Sequence, residues 1–140
     1  MFYAIHDDAG RITQGSKVFA PDEGYEKQLR DLGHSFATDP QAMLLSPDDW
    51  YVSAGLLRKR PSLSVLAVRT RIKAGGAETG LLVGVPQAAR VTITTGGVIQ
   101  YQGIPGATEL AIPIPVPCVY RVAIELWPYK TYVAEIEAVE

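Results

Sequence analysis

Val119-Tyr120-Arg121-Val122-Ala123-Ile124-Glu125-Leu126 sets Tyr120, Val122, Ile124 and Leu126 on one side of an extended chain and Arg121 and Glu125 on the other. Successive side chains of a strand point to opposite faces, so one face here is built for a core and the other for water. Val91 and Ile93 against Thr92 and Thr94 repeat the pattern upstream. Working outward, Leu63 to Lys73 reads as one long strand or two colinear ones. Gly80 to Val85, Arg90 to Thr95, Val98 to Gln102, Thr108 to Ile112, Val119 to Trp127 and Tyr132 to Val139 follow. Turns at Gly75-Gly76, Pro86, Gly96-Gly97, Gly103-Ile104-Pro105-Gly106 and Pro128 part them. Short strands spaced by turns predict an antiparallel β-sandwich over residues 62–140.

The first 61 residues have another character. Phe2-Tyr3-Ala4-Ile5-His6 and Arg11-Ile12-Thr13-Gln14 flank Asp7-Asp8-Ala9-Gly10, which reads as a β-hairpin. Tyr25, Leu29 and Leu32 recur at helical spacing, with Pro21, Asp22 and Glu23 suited to a first turn and Gly33 to the position just past the end. His34 to Thr38, a Ser46-Pro47-Asp48-Asp49 turn, Trp50-Tyr51-Val52-Ser53, a turn at Gly55 and Leu56 to Arg60 complete the segment, which Pro61 stops. The expectation is a small ββαββ unit over 1–61 followed by the sandwich, a mainly β (α+β) chain of two domains.

Composition narrows the function classes. Hydrophobic residues make up 47% of the 140 and charged residues 20%, with mean hydropathy +0.07, which is a globular composition. Thirteen basic against fifteen acidic side chains give −2, so no global electrostatic case exists for nucleic acid or a membrane surface. One cysteine excludes an internal disulfide, and two histidines leave little for metal or nucleophilic chemistry. Met1 to His6 is apolar for barely one strand and lacks a basic flank, so no signal peptide is expected. No apolar run approaches the ~18 residues of a membrane helix. No catalytic residue, metal ligand or cofactor is expected.

Four features compete for a role. His6 and His34 near strand ends, with Asp7, are open to a base or metal reading, but Asp7 and Asp8 are explained by turn chemistry. Cys118, without a helix N-terminus or cationic neighbour, reads as a small buried hydrophobe. Ile112-Pro113-Ile114-Pro115-Val116-Pro117 cannot be a central strand. It is either an exposed ligand for an aromatic groove or, the favoured reading, a stiff crossover that packs Ile112, Ile114 and Val116 on the sandwich. Between Trp50 and Ala77 no acid occurs, yet Arg58, Lys59, Arg60, Arg69, Arg71 and Lys73 do. Arg69, Arg71 and Lys73 alternate with Val68, Thr70 and Ile72 and so are expected on one strand face. They read either as a contact for an acidic partner or as a solvated edge that discourages aggregation. Trp50, Tyr51, Trp127 and Tyr129 are candidate stacking surfaces for a receptor or carbohydrate.

Tyr120 to Tyr129, after its proline-rich approach, resembles the late strands of bacterial immunoglobulin-like domains, with Tyr120 placed like a tyrosine corner. Arg71-Ile72-Lys73-Ala74-Gly75-Gly76 is similar to their opening strand and turn, and Val85-Pro86 with Arg90 to Thr94 to the next pair. The N-terminal half, Phe2 to Asp7 with Gly10-Arg11-Ile12, then Trp50-Tyr51-Val52 through Arg60-Pro61, resembles short bacteriophage proteins encoded near tail and tail-fibre genes. The resemblance implies a structural, non-enzymatic virion component, tail-associated, made in the bacterial cytoplasm. Its partners would be other virion proteins of tail or capsid, with homo-oligomers in the particle and neither membrane nor nucleic acid as ligand. A capsid decoration or cement protein and a receptor- or carbohydrate-binding module are the alternatives.

Overall fold

A computed structural model describes residues 1–18, 23–39 and 46–140. They form two compact units, Met1–Arg60 and Pro61–Glu140, mainly β with several antiparallel sheets and one short helix.

The first unit contains β1 (Phe2–His6), β2 (Ile12–Lys17), α1 (Glu23–Asp31), β3 (Ser35–Asp39), β4 (Trp50–Ser53) and β5 (Leu56–Lys59). Its sheet has the order β2-β1-β3, and β4-β5 is a separate hairpin. The near-continuous apolar run of β1 is explained by burial on both faces. Phe2 and Ala4 meet Ile12, Ala37 and Val52 on the hairpin side, while Tyr3 and Ile5 meet Leu29 of α1 on the other. Full burial of a side chain as large as Phe2 stabilises by roughly 1.5–3 kcal/mol. Tyr3 also packs edge-on to Tyr25, with ring centroids 4.9 Å apart.

Asp7 builds the first turn as its side-chain chemistry requires. Its Oδ1 accepts from the amides of Ala9 (3.0 Å) and Arg11 (2.9 Å). The helix ends in a Schellman motif: the Gly33 amide donates to the Arg30 carbonyl and that of His34 to the Leu29 carbonyl, both at 2.9 Å, with Gly33 at φ +80°. Two expectations change here. Leu32 is not part of the apolar stripe; it lies beyond α1, where the backbone swings away, and is 73% exposed. The unit is ββαβββ rather than ββαββ, because Ser35–Asp39 pairs antiparallel with the whole of β1 and buries Ala37. Pro21 and Asp22 lie outside the described residues.

The second unit contains β6 (Leu66–Arg69), β7 (Arg71–Lys73), β8 (Thr79–Val83), β9 (Arg90–Thr95), β10 (Val98–Gly103), β11 (Glu109–Pro113), β12 (Cys118–Glu125) and β13 (Tyr132–Val139). A five-stranded sheet runs β10-β9-β12-β13-β7 and a three-stranded one β11-β8-β6. Ile72, Val91, Val122, Ile124 and Ile136 of the first share one core with Leu82 and Ile112 of the second. In β12, Tyr120, Val122 and Ile124 are buried and Arg121 and Glu125 exposed, while Ala123 on the opposite face is buried as well.

The stretch from Leu63 to Lys73 is neither one strand nor two colinear ones. Ala67 and Ile72 both turn into the core, five residues apart, which unbroken alternation forbids. A register shift between Ala67 and Arg69 breaks it, so that β6 pairs with β8 and β7 with β13 in the other sheet. The β7–β13 pair is parallel, which corrects the expectation of purely antiparallel pairing; the opening and closing strands run side by side in the same direction. In the proline run, β11 ends at Pro113 on a sheet edge and Ile114 is fully buried, but Val116, also expected to pack, is 58% exposed.

Candidate functional site

The six cations are split between the units, Arg58, Lys59 and Arg60 in the first and Arg69, Arg71 and Lys73 in the second. On the β4–β5 hairpin, Arg58 stands opposite Tyr51 and Lys59 opposite Trp50, with the Lys59 ammonium 5.7 Å from the centre of a Trp50 ring. That contact engages one indole face through cation–π attraction. Arg60 is a strut: its Nη1 donates to the carbonyls of Pro47 and Asp48, both at 3.3 Å, and its amide to Asp49 at 2.7 Å. It holds the turn that launches β4.

Arg69, Arg71 and Lys73 do not share a strand face, since Arg69 belongs to β6 of the three-stranded sheet and the other two to β7 of the five-stranded one. Arg71 and Lys73 are exposed on β7, and Arg71 is in register with Glu137 of β13. Glu78 Oε2 accepts from the Lys73 amide at 2.7 Å. A segment without acids along the chain thus has acids from β13 and from the following turn beside it in space.

Trp50 and Tyr51 are half-buried in the first unit and Trp127 and Tyr129 half-buried in the second. His6 Nδ1 donates to the Asp7 carbonyl at 2.9 Å. A polar cavity of about 400 Å³ opens beside it, lined by His6, Asp8, Ser35, Ser53 and Ala54 among others. Cys118 is half-buried at the start of β12 and packs on the core. Among the described residues, no three His, Cys, Asp or Glu side chains are grouped to hold a metal ion, and no helix is long and apolar enough to cross a membrane.

What the sequence reading missed is the other edge of the five-stranded sheet. Five of the six residues of β10 are exposed and the sixth is half-buried, with Val98 62%, Ile99 55% and Tyr101 41% accessible. Beside it, a groove of about 310 Å³ is lined by Ile93, Tyr101 and Tyr120 on one side and by Ala111, Ile112 and Pro113 on the other. The available signal was charge: residues 91–108, eighteen in a row, contain none. A strand within such a stretch lacks the lysines and acids by which exposed edges are guarded. Comparison of the chain with family models, with curated proteins and with solved structures finds no match in any of the three.

Proposed function

We propose that this chain is a non-enzymatic structural component of a bacteriophage particle, tail-associated, and that it works through protein–protein contacts. The observation that carries the reading is the surface of residues 61–140. Leu66 and Val68 on β6, Val98, Ile99 and Tyr101 on β10, and Val116 beyond β11 stand in water on or next to strands that end their sheets. Exposed apolar side chains on open sheet edges are features of surfaces that dock other chains.

The strand order supports an immunoglobulin-like domain as the vehicle. With β6, β8 and β11 in the places of strands A, B and E, β9, β10, β12 and β13 take those of C, C′, F and G of a variable-type sandwich. On the resemblance, Tyr120, buried near the start of β12, is the residue expected at the tyrosine corner. The particle assignment rests on the resemblance of both halves to short tail-associated phage proteins.

The test is to tag the chain in the genome that encodes it, purify the released particles on a density gradient and separate heads from tails. Recovery with tails is the expected result. Recovery with heads would replace the tail assignment by capsid decoration, and absence from the particles would overturn the reading.

A further inference from the structure

We propose that the polar cavity of the first unit, beside His6, is a binding site for a neutral sugar ring. Only residues of Met1–Arg60 are involved, so the site is independent of the particle assignment. At about 400 Å³ the cavity falls within the roughly 300–1,000 Å³ of small-molecule pockets. It lies where the turns of two hairpins meet, the one after β1 and the one after β4. The Val52 amide donates to the Gly10 carbonyl at 2.9 Å, which ties the two turns together and sets the walls before a ligand arrives. Ala54, on the rim, is the one non-glycine residue with positive φ among the described residues. Backbone strain of this kind gathers at ligand sites.

The donors and acceptors of the walls set the ligand class. His6 Nδ1 gives its proton to the Asp7 carbonyl, which leaves Nε2 of the neutral ring as an acceptor. Ser35 stands directly opposite His6 on β3, and Ser53 ends β4; each hydroxyl both donates and accepts. Asp7 Oδ1 is taken up by the amides of its own turn, whereas the exposed Asp8 carboxylate has no hydrogen bond among the described residues. A carboxylate accepts two hydrogen bonds side by side, which matches neighbouring hydroxyls on a ring. Val52 and Ala54 offer apolar contact to the C–H face of that ring. Other ligands match less of this lining. Two carboxylates with no lysine or arginine among the described wall residues turn phosphates and carboxylates away. The imidazole is the one ring there, so a nucleobase has no stacking platform. The described residues group no three His, Cys, Asp or Glu side chains for a metal ion. A compact ammonium would meet the carboxylates but leave the imidazole acceptor and the serine hydroxyls unused.

The test is an NMR titration of the nitrogen-labelled full chain with the methyl glycosides of glucose, galactose and mannose. At least one glycoside is expected to shift the amides of residues 6–10, 35 and 52–55 along a saturating curve, with Kd about 1–10 mM, and to leave residues 61–140 unmoved. Asp8 and Ser35 are exposed, so their replacement by alanine should keep the fold, read from the unchanged spectrum elsewhere. Asp8→Ala should raise Kd about tenfold or more and Ser35→Ala about threefold or more. Absence of a saturating shift with all three glycosides overturns the proposal, as does binding that survives Asp8→Ala. So does a stronger response of the same amides to ethylammonium, calcium or phosphate, which would make the cavity an ion site.

Discussion

Gly10 closes the first hairpin and at the same time fastens it to the second. Its φ is +86°, its amide donates to the Asp7 carbonyl at 3.1 Å, and its carbonyl accepts from the Val52 amide at 2.9 Å. A Cβ at this position would run into the Val52 carbonyl oxygen. Gly10→Ala is therefore expected to destabilise the first unit by about 2 kcal/mol or more in urea unfolding, and a loss below about 0.5 kcal/mol would contradict the close approach. Ala54 offers the opposite experiment. With Gly55 it forms a two-residue loop at φ +51° and +75°, the signature of a type I′ turn, whose first position disfavours a Cβ. Ala54→Gly should raise stability by about 0.5–1 kcal/mol in the same assay. At this scale the sequence was legible wherever a side chain acts on its own backbone, as Asp7 and Gly33 do. It was not legible where a residue acts across the fold: nothing next to Arg60 in the chain indicates that it braces Pro47 and Asp48.

Elements tell a similar story through β6 and β7. The cations that alternate along Arg69, Arg71 and Lys73 hid a change of sheet, because alternation looks the same whether or not the chain crosses over. What decides the crossing is which neighbour satisfies each backbone group, and that is settled by strands far along the chain. Strand identities were readable in β9 and β12 because large apolar residues recur there at every second position; β3, short and polar at its ends, gave no such signal. Ile72, almost fully buried from the short β7, should cost about 2–5 kcal/mol on replacement by Ala. Arg71→Glu would set an acid beside Glu137, a like-charge pair worth about 0.2–1 kcal/mol of destabilisation. Under the proposed function, Arg69→Glu with Arg71→Glu should lower incorporation into particles, most clearly at low ionic strength, where screening is weakest. Incorporation equal to the parent's under those conditions would leave these cations as a solvated edge.

At the scale of the whole molecule, each buried cluster of the described residues draws them from one unit. The two tryptophans divide in the same way, Trp50 in the first unit and Trp127 in the second. In a Trp127→Phe background, Phe2→Ala should shift the unfolding seen by Trp50 by about 3–5 kcal/mol. In a Trp50→Phe background, it should leave the transition seen by Trp127 within about 0.5 kcal/mol. A change of patterning near Pro61, from mixed helix and strand to strands alone, was visible in the sequence. The β10 edge was not, because an uncharged stretch becomes a surface only when its strand is found to lie last in a sheet.

The parallel pairing of β7 with β13 gives the second unit a direction of mechanical strength. Pulled apart at residues 61 and 140, the two strands are drawn in opposite senses along their common axis, so the bonds between them bear the load together in shear instead of opening one after another. Forced unfolding is governed by the barrier to the first rupture, and a short clamp loaded in this way makes that rupture cooperative. The same unit held at residues 96 and 140 would be loaded without that alignment, and single-molecule stretching should find it to yield at lower force.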